Sequence, residues 1–309
     1  MNIVQIEYQL ADNSIAIEDL VGSGELSSTQ AAVFKKMMGL KSIPIDSTST
    51  VFSLLKGTLN RLFNHKNINK SNIKYFLFSH TGEFITPFGL NYLKIISDQY
   101  GLNNAKYFAT SAYKCAGLFQ LTVLAEELFK GMNQDDLILI STCDVTLSKI
   151  LKVIPGSTVM GDSAVSIILS KSGVSQFFTS SLFHYYGQYA KGIWDNDENL
   201  SLFQSNYIFN LKKLILKILE NNELLLSDIK IILPHNVNII SWKQVANSLA
   251  ISTDKIYLSN IKRTAHCFGA DPWINLKDAI AENKILKGDY YLLVTVGLGA
   301  TFSALLFKY

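Results

Sequence analysis

The residues that could do chemistry gather in three short segments of this 309-residue chain: SAYKCAGLFQL around Cys115, LPHNVN around His235, and TAHCFGADP around His266 and Asp271. Cys115 comes just after a strand-like run, YFATSA, at the first turn of a helical pattern. The backbone N–H groups and dipole at a helix N-terminus favour a thiolate. Ala116 and Gly117 leave room for a substrate to approach. The competing reading is a buried structural cysteine, the usual fate of a free thiol.

His235 follows Pro234 at a strand end, where the proline stiffens the corner and the ring projects from a loop. Asn238 lies one turn further on, where it can orient that ring. A loop histidine bonded to backbone is the alternative. His266 and Asp271, five residues apart, can form an oriented acid–base pair. Asp271 can equally cap a helix that starts near Pro272. Gly297 and Gly299 in VTVGLGATFSALL let backbone approach a ligand. One of their N–H groups, with that of Cys115, could form an oxyanion hole; a tight β-turn is compatible with this. Gly161–Asp162, in VMGDSAVSIIL, reads as a turn into a buried strand that forms the wall beneath the site.

The elements that must position these residues repeat. A leucine-spaced helix, a polar joint and an Ile-Lys strand occur in TVFSLLKGTLNRLFNHKNINKSNIKYFLFSHTG and again in YIFNLKKLILKILENNELLLSDIKIILPHNVN. The continuations also correspond, and Cys115 in KCAG falls opposite Cys267 in HCFG. Further strands are expected at NIVQIEY, AKYFATS, DLILIST, AVSIILS, KIYLS and YYLLVTV, with helices at FQLTVLAEELFKG and SWKQVANSLA. Two such halves, 1–172 and 173–309, predict an α/β fold of duplicated βαβαβ units about a pseudo-twofold axis. Strand-to-helix corners from both halves then meet, so Cys115 faces His235 and the TAHCFGAD loop.

Composition excludes several classes. The chain is 48% hydrophobic and 17% charged, and its formal charge of +3 has no dense Lys/Arg block, so no nucleic-acid partner is indicated. Three cysteines make no disulfide framework and suit a reducing, cytoplasmic setting. The start of the chain lacks a signal-peptide pattern. The uncharged run from Tyr290 to Phe307 is broken by Gly297 and Gly299, and reads as strand, turn, strand in place of a membrane span. No P-loop, CxxC or HExxH is present, and no metal site is expected.

Together these motifs resemble the thiolase-fold condensing enzymes, specifically the β-ketoacyl-[acyl-carrier-protein] synthase III branch, over nearly the whole chain. The resemblance implies a thiolase-like, five-layer αβαβα arrangement. It also implies a Cys115 nucleophile, a His235–Asn238 motif, and oxyanion N–H groups on Cys115 and Gly299. The second-half asparagine of that branch, which stabilises the enolate after malonyl decarboxylation, is absent. TAHCFGADP is instead similar to an offshoot with a Cys-His-Asp set, whose members pass acyl groups to hydroxyl or amine acceptors; His266 and Asp271 match it. The tryptophan and arginine that grip coenzyme A are also missing from FKKMMGLKSIPI, where Lys35, Lys36 and Lys41 stand as possible phosphate contacts.

The function implied is acyl transfer through a Cys115 thioester, with no cofactor bound permanently and with acyl-coenzyme A or acyl-carrier-protein phosphopantetheine as donor. In this scheme His235 protonates the leaving thiol, and with Asp271 deprotonates a hydroxyl or amine acceptor. A homodimer and a role in secondary metabolism are expected. The alternatives are a decarboxylative synthase III, a thioester hydrolase and a non-catalytic partner subunit.

Overall fold

Alternation of side chains along the apolar strands decides the layering. The computed structural model describes residues 1–65, 68–83, 85–147, 152–173 and 176–309. Its principal strands are β1 (Asn2–Leu10), β2 (Ile73–Ser79), β3 (Lys106–Thr110), β4 (Leu137–Asp144), β5 (Ser163–Ser170), β6 (Phe177–Tyr185), β7 (Ile229–Pro234), β8 (Tyr290–Gly297) and β9 (Thr301–Lys308). Its principal helices are α1 (Val51–Phe63), α2 (Tyr92–Tyr100), α3 (Gly117–Phe129), α4 (Asp197–Asn221), α5 (Ile239–Ser248) and α6 (Asp271–Ala281).

On β2, Phe76 and Phe78 pack with the leucines of α1 and α2, while Leu77 points the other way into the cluster of α3 and α6. On β8, Leu292 and Val294 pack with α4 and α5, while Tyr291 and Leu293 join that same central cluster. These period-2 strands are buried on both faces, and the result is five layers: α1/α2, sheet, α3/α6, sheet, α4/α5. Phe119 of α3 meets Trp273 of α6 edge to face at 5.8 Å in the middle layer.

The strand order is β7-β8-β9-β6-β1-β5-β4-β2-β3. Among the described residues the two half-sheets are joined where Asn2 pairs with Phe177. Within the halves, β3-β2-β4-β5-β1 and β7-β8-β9-β6 follow one plan, parallel pairing at the outer end and antiparallel pairing inward. The duplication is therefore topological as well as sequential.

Two strand expectations change. KIYLS is not a strand: Thr253–Lys255 closes a 3-10 turn capped by Ser252, which leaves a single bridge between Ile256 and Ile232. Conversely β6, FFTSSLFHY, was hidden by its Ser/Thr content and half-buried faces. The run from Tyr290 to Phe307 is β8, a turn and β9, and among the described residues no helix is long and apolar enough to cross a membrane.

Candidate active site

Cys115 sits where β3 ends and α3 begins. Lys114 adopts a left-handed φ of 49° and enters a 3-10 turn, Lys114–Ala116, that leads into α3. Its ammonium is held outside by Glu83. The corner is packed without slack. A Cβ on Gly117 would lie 2.8 Å from Ser79 Cβ, one on Gly297 only 2.2 Å from the Tyr113 carbonyl oxygen, and one on Gly269 3.0 Å from that of Cys115. So Gly297 leaves room on β8 for the backbone of the Cys115 turn, and Gly269, also from the other half, presses on it.

His266 comes from the loop before α6. Ala265 (φ 46°) and Phe268 (φ 52°) flank it in left-handed conformations, which cost roughly 1–3 kcal/mol each and gather at functional sites. The His266 N–H donates to Val159 O (3.0 Å), and its carbonyl accepts from Gly161 N–H (2.9 Å). Asp162 fixes that segment by accepting from the backbone and hydroxyl of Thr146, both at 2.7 Å. The Gly161–Asp162 turn thus holds the histidine loop in place.

The imidazole lies between two partners, with Nε2 3.5 Å from Cys115 Sγ and Nδ1 2.5 Å from Asp271 Oδ2. Asp271 is fully buried. It also accepts from the N–H groups of Asn236 (2.6 Å) and Cys267 (2.8 Å). Burial, the largest influence on His266, opposes its protonation, but the Asp271 carboxylate and the Cys115 sulfur outweigh it and raise its pKa to about 10. At neutral pH a cation therefore stands against the cysteine sulfur. Thr81 Oγ1, from the same half as Cys115, approaches Sγ at 3.9 Å. The N–H groups of Thr81 and Gly82 donate to buried Asp144 at 2.6 and 3.1 Å.

His235 has different partners from those expected. Its ring centroid is 6.0 Å from that of His266, but its Nε2 meets the Tyr207 hydroxyl at 2.5 Å and its Nδ1 faces the Val294 carbonyl at 3.4 Å. Burial and then the neighbouring His266 charge lower its pKa to about 3, so it is neutral. The expected His235–Asp271 pairing is corrected to His266–Asp271, because the loop before α6 brings its own histidine onto the carboxylate. Asn238 does not orient His235. Its oxygen caps α5 through Ser241 N–H (2.8 Å), and its amide donates to Ser157 O (3.1 Å). Asp271 is not an N-cap either; Ala270 holds that position, and Pro272 follows within the first turn.

Gly299 lies in the β8–β9 turn with φ 108°. With Cys115, His235, Asn238, His266 and Tyr207 it lines a cavity of about 530 Å³. Lys35, Lys36 and Lys41 do not line it, and Lys35 is paired with Glu18. No group of His, Cys, Asp and Glu among the described residues could hold a metal ion.

Sequence reasoning missed Tyr207, Thr81, Asp144 and Asn236. Asp144 carried a signal, a lone acid at the end of an apolar strand. Asn236 sat inside the quoted PHNVN motif. Tyr207 had none, being one aromatic within a long amphipathic helix.

Residues 219–309 match the family described as 3-oxoacyl-[acyl-carrier-protein] synthase III C terminal. A 93-residue stretch is 38% identical to the β-ketoacyl-[acyl-carrier-protein] synthase III of Clostridium novyi, spanning 30% of this chain and 28% of that relative. The corresponding synthase of Rickettsia bellii is 26% identical over 222 residues, 68% of this chain and 69% of the relative. Among solved structures, the 3-oxoacyl-[acyl-carrier-protein] synthase III of Aquifex aeolicus superposes with a TM-score of 0.82 at 17% identity, covering 100% of this chain and 99% of the other. The ChlB3 acyltransferase gives 0.83 at 14% identity, covering 99% and 97%. The chain has the thiolase-like fold. It is a thiolase-fold enzyme of the condensing and acyl-transferring class, related to β-ketoacyl-[acyl-carrier-protein] synthase III.

Proposed function

We propose that this enzyme loads an acyl group from a coenzyme A or carrier-protein thioester onto Cys115 and passes it to a hydroxyl, amine or specialised carbon nucleophile. The observation that carries this reading is the unbroken line from Cys115 Sγ through His266 to Asp271. In the first half-reaction Cys115 attacks the thioester carbonyl as a thiolate paired with the His266 imidazolium. Negative charge on its oxygen is received by the N–H groups of Cys115 and Gly299. The C–S bond to the donor breaks, and the leaving thiolate takes the His266 proton. In the second half-reaction the acceptor attacks acyl-Cys115, His266 takes the acceptor's proton, and the Cys115 thiolate leaves. The starting ion pair is regenerated and every proton is accounted for.

A second reading, decarboxylative condensation with a malonyl thioester, is favoured by relatives that carry the synthase III name. It requires hydrogen-bond donors for an enolate oxygen. Here His266 is engaged with Cys115 and Asp271, and His235 with Tyr207. Incubation of enzyme with an acyl thioester plus either a malonyl thioester or a panel of amines and alcohols decides between them. Product from the donor and an amine or alcohol alone supports acyl transfer. Product that forms only with malonyl thioester and release of CO2 contradicts it.

The proposal extends to a cytoplasmic enzyme of specialised metabolism that acts as a homodimer. The β3 edge supports pairing with a second copy, since it ends the sheet and Phe108 on it is 41% exposed. Sedimentation at micromolar concentration tests this, with a monomer as the contrary result.

A further inference from the structure

The cavity offers hydrogen-bond acceptors where a carbon-nucleophile substrate would need donors. Nδ1 of His235 faces a carbonyl oxygen, a partner that only an N–H can satisfy. A neutral imidazole with its proton on Nδ1 has a bare lone pair on Nε2. The Tyr207 hydroxyl, 2.5 Å away, must therefore donate to His235. Burial, and then the Cys115 charge, push the Tyr207 phenol above its ordinary pKa, so it stays a phenol. Having given its hydrogen to His235, its oxygen can only accept. Among the described residues that oxygen has no second hydrogen-bond partner. Tyr207 lines the cavity together with Cys115 and His266.

We propose that Tyr207, oriented by His235, selects an acceptor with a second N–H or O–H hydrogen at or beside its attacking atom, such as a primary amine or a polyol. The attacking atom gives one hydrogen to His266, and a second hydrogen beside it is held by the Tyr207 oxygen. This rests on the acyl-transfer reading above and names its acceptor class. His235 is then a positioning residue, and its place in the proton path passes to His266.

Tyr207→Phe keeps the ring, which packs against Phe203 and Phe302, and removes the oxygen. Two steps are measured separately, acylation of Cys115 by intact mass and transfer of the acyl group to matched acceptors. The acceptors are a primary amine, its N-methyl secondary counterpart, a polyol and a simple alcohol. The expected result is transfer to the primary amine or polyol slowed at least tenfold more than acylation. The preference for these over the single-donor acceptors should collapse. Unchanged acceptor preference in Tyr207→Phe overturns the proposal. A wild type that acylates but transfers equally well to single-donor acceptors overturns it while leaving the acyltransferase reading intact. A wild type that never acylates overturns both.

Discussion

Cys115 and Cys267 occupy equivalent corners of the two halves, each beside a 3-10 turn that opens a central helix. They have opposite surroundings. Cys115 lines the cavity with a histidine 3.5 Å from its sulfur. Cys267 is sealed in the core, its thiol facing the Thr264 carbonyl at 3.6 Å. Burial, followed by the Asp271 charge, pushes the Cys267 thiol well above its ordinary range. Its backbone, in contrast, is useful, because the Cys267 N–H helps hold Asp271 for His266. A helix N-terminus alone does not make a nucleophile. Cys115 has in addition a nearby cation and an open cavity, and in the proposed mechanism the two halves divide the tasks, sulfur in one and its acid–base support in the other.

The sharpest way to break this comparison is to remove each sulfur. Cys115→Ala should lower donor thioester cleavage by at least about 10⁴-fold, the scale seen when nucleophiles are deleted, as measured by thiol release. If Cys115→Ala cleaves at the wild-type rate, the roles assigned to the two corners are wrong. Removing the support should cost less. Asp271→Asn leaves the loop geometry nearly isosteric but withdraws the charge behind His266, and about 10³-fold slower acylation is expected. A loss under tenfold would show that the carboxylate only fixes the loop.

The two histidines sharpen the comparison through pH. His235 is neutral when folded, with its pKa lowered to about 3. The unfolded chain therefore binds a proton below about 6.5 that the folded chain does not, and stability falls as pH drops through that window. His266 has a pKa raised to about 10. Its contribution is fully present below about 6.5 and is lost as pH rises towards 10. Between pH 6.5 and 5, His235→Gln should lack about 2 kcal/mol of the acid-side loss seen in wild type. His266→Gln should instead flatten the alkaline side. Denaturant unfolding from pH 5 to 9 checks both, and parallel curves for the two variants would refute the assignment. The smallest effect is expected for Cys267→Ala, with activity within about twofold and stability lower by about 1–2 kcal/mol. A large activity loss there would mean that the second corner contributes more than backbone.

Much of this arrangement was legible in the sequence, because strand alternation and helix periodicity are local. The repeat related KCAG to HCFG, and the folded halves share one strand order apart from the outer strand that KIYLS does not form. The spacing of His266 and Asp271 within one loop also made their pairing readable. The partner of His235 was not readable. Tyr207 lies 28 residues earlier on α4, and its approach depends on how α4 crosses the end of β7, a property of packing without a local signature. Asn238 was misread for the complementary reason, since an asparagine after a strand-end histidine fits an orienting role and a helix cap equally well. KIYLS had a strand's composition, but turn closure at Ser252 took its residues first.

The central claim is that the first corner alone carries the acyl group. Incubating wild-type enzyme with a series of acyl-coenzyme A and acyl-carrier-protein thioesters, followed by intact mass and peptide mapping, tests it directly. The account predicts one acyl adduct, on the Cys115 peptide, absent from Cys115→Ala. An adduct on the Cys267 peptide, or no adduct with any donor of either kind, would contradict it.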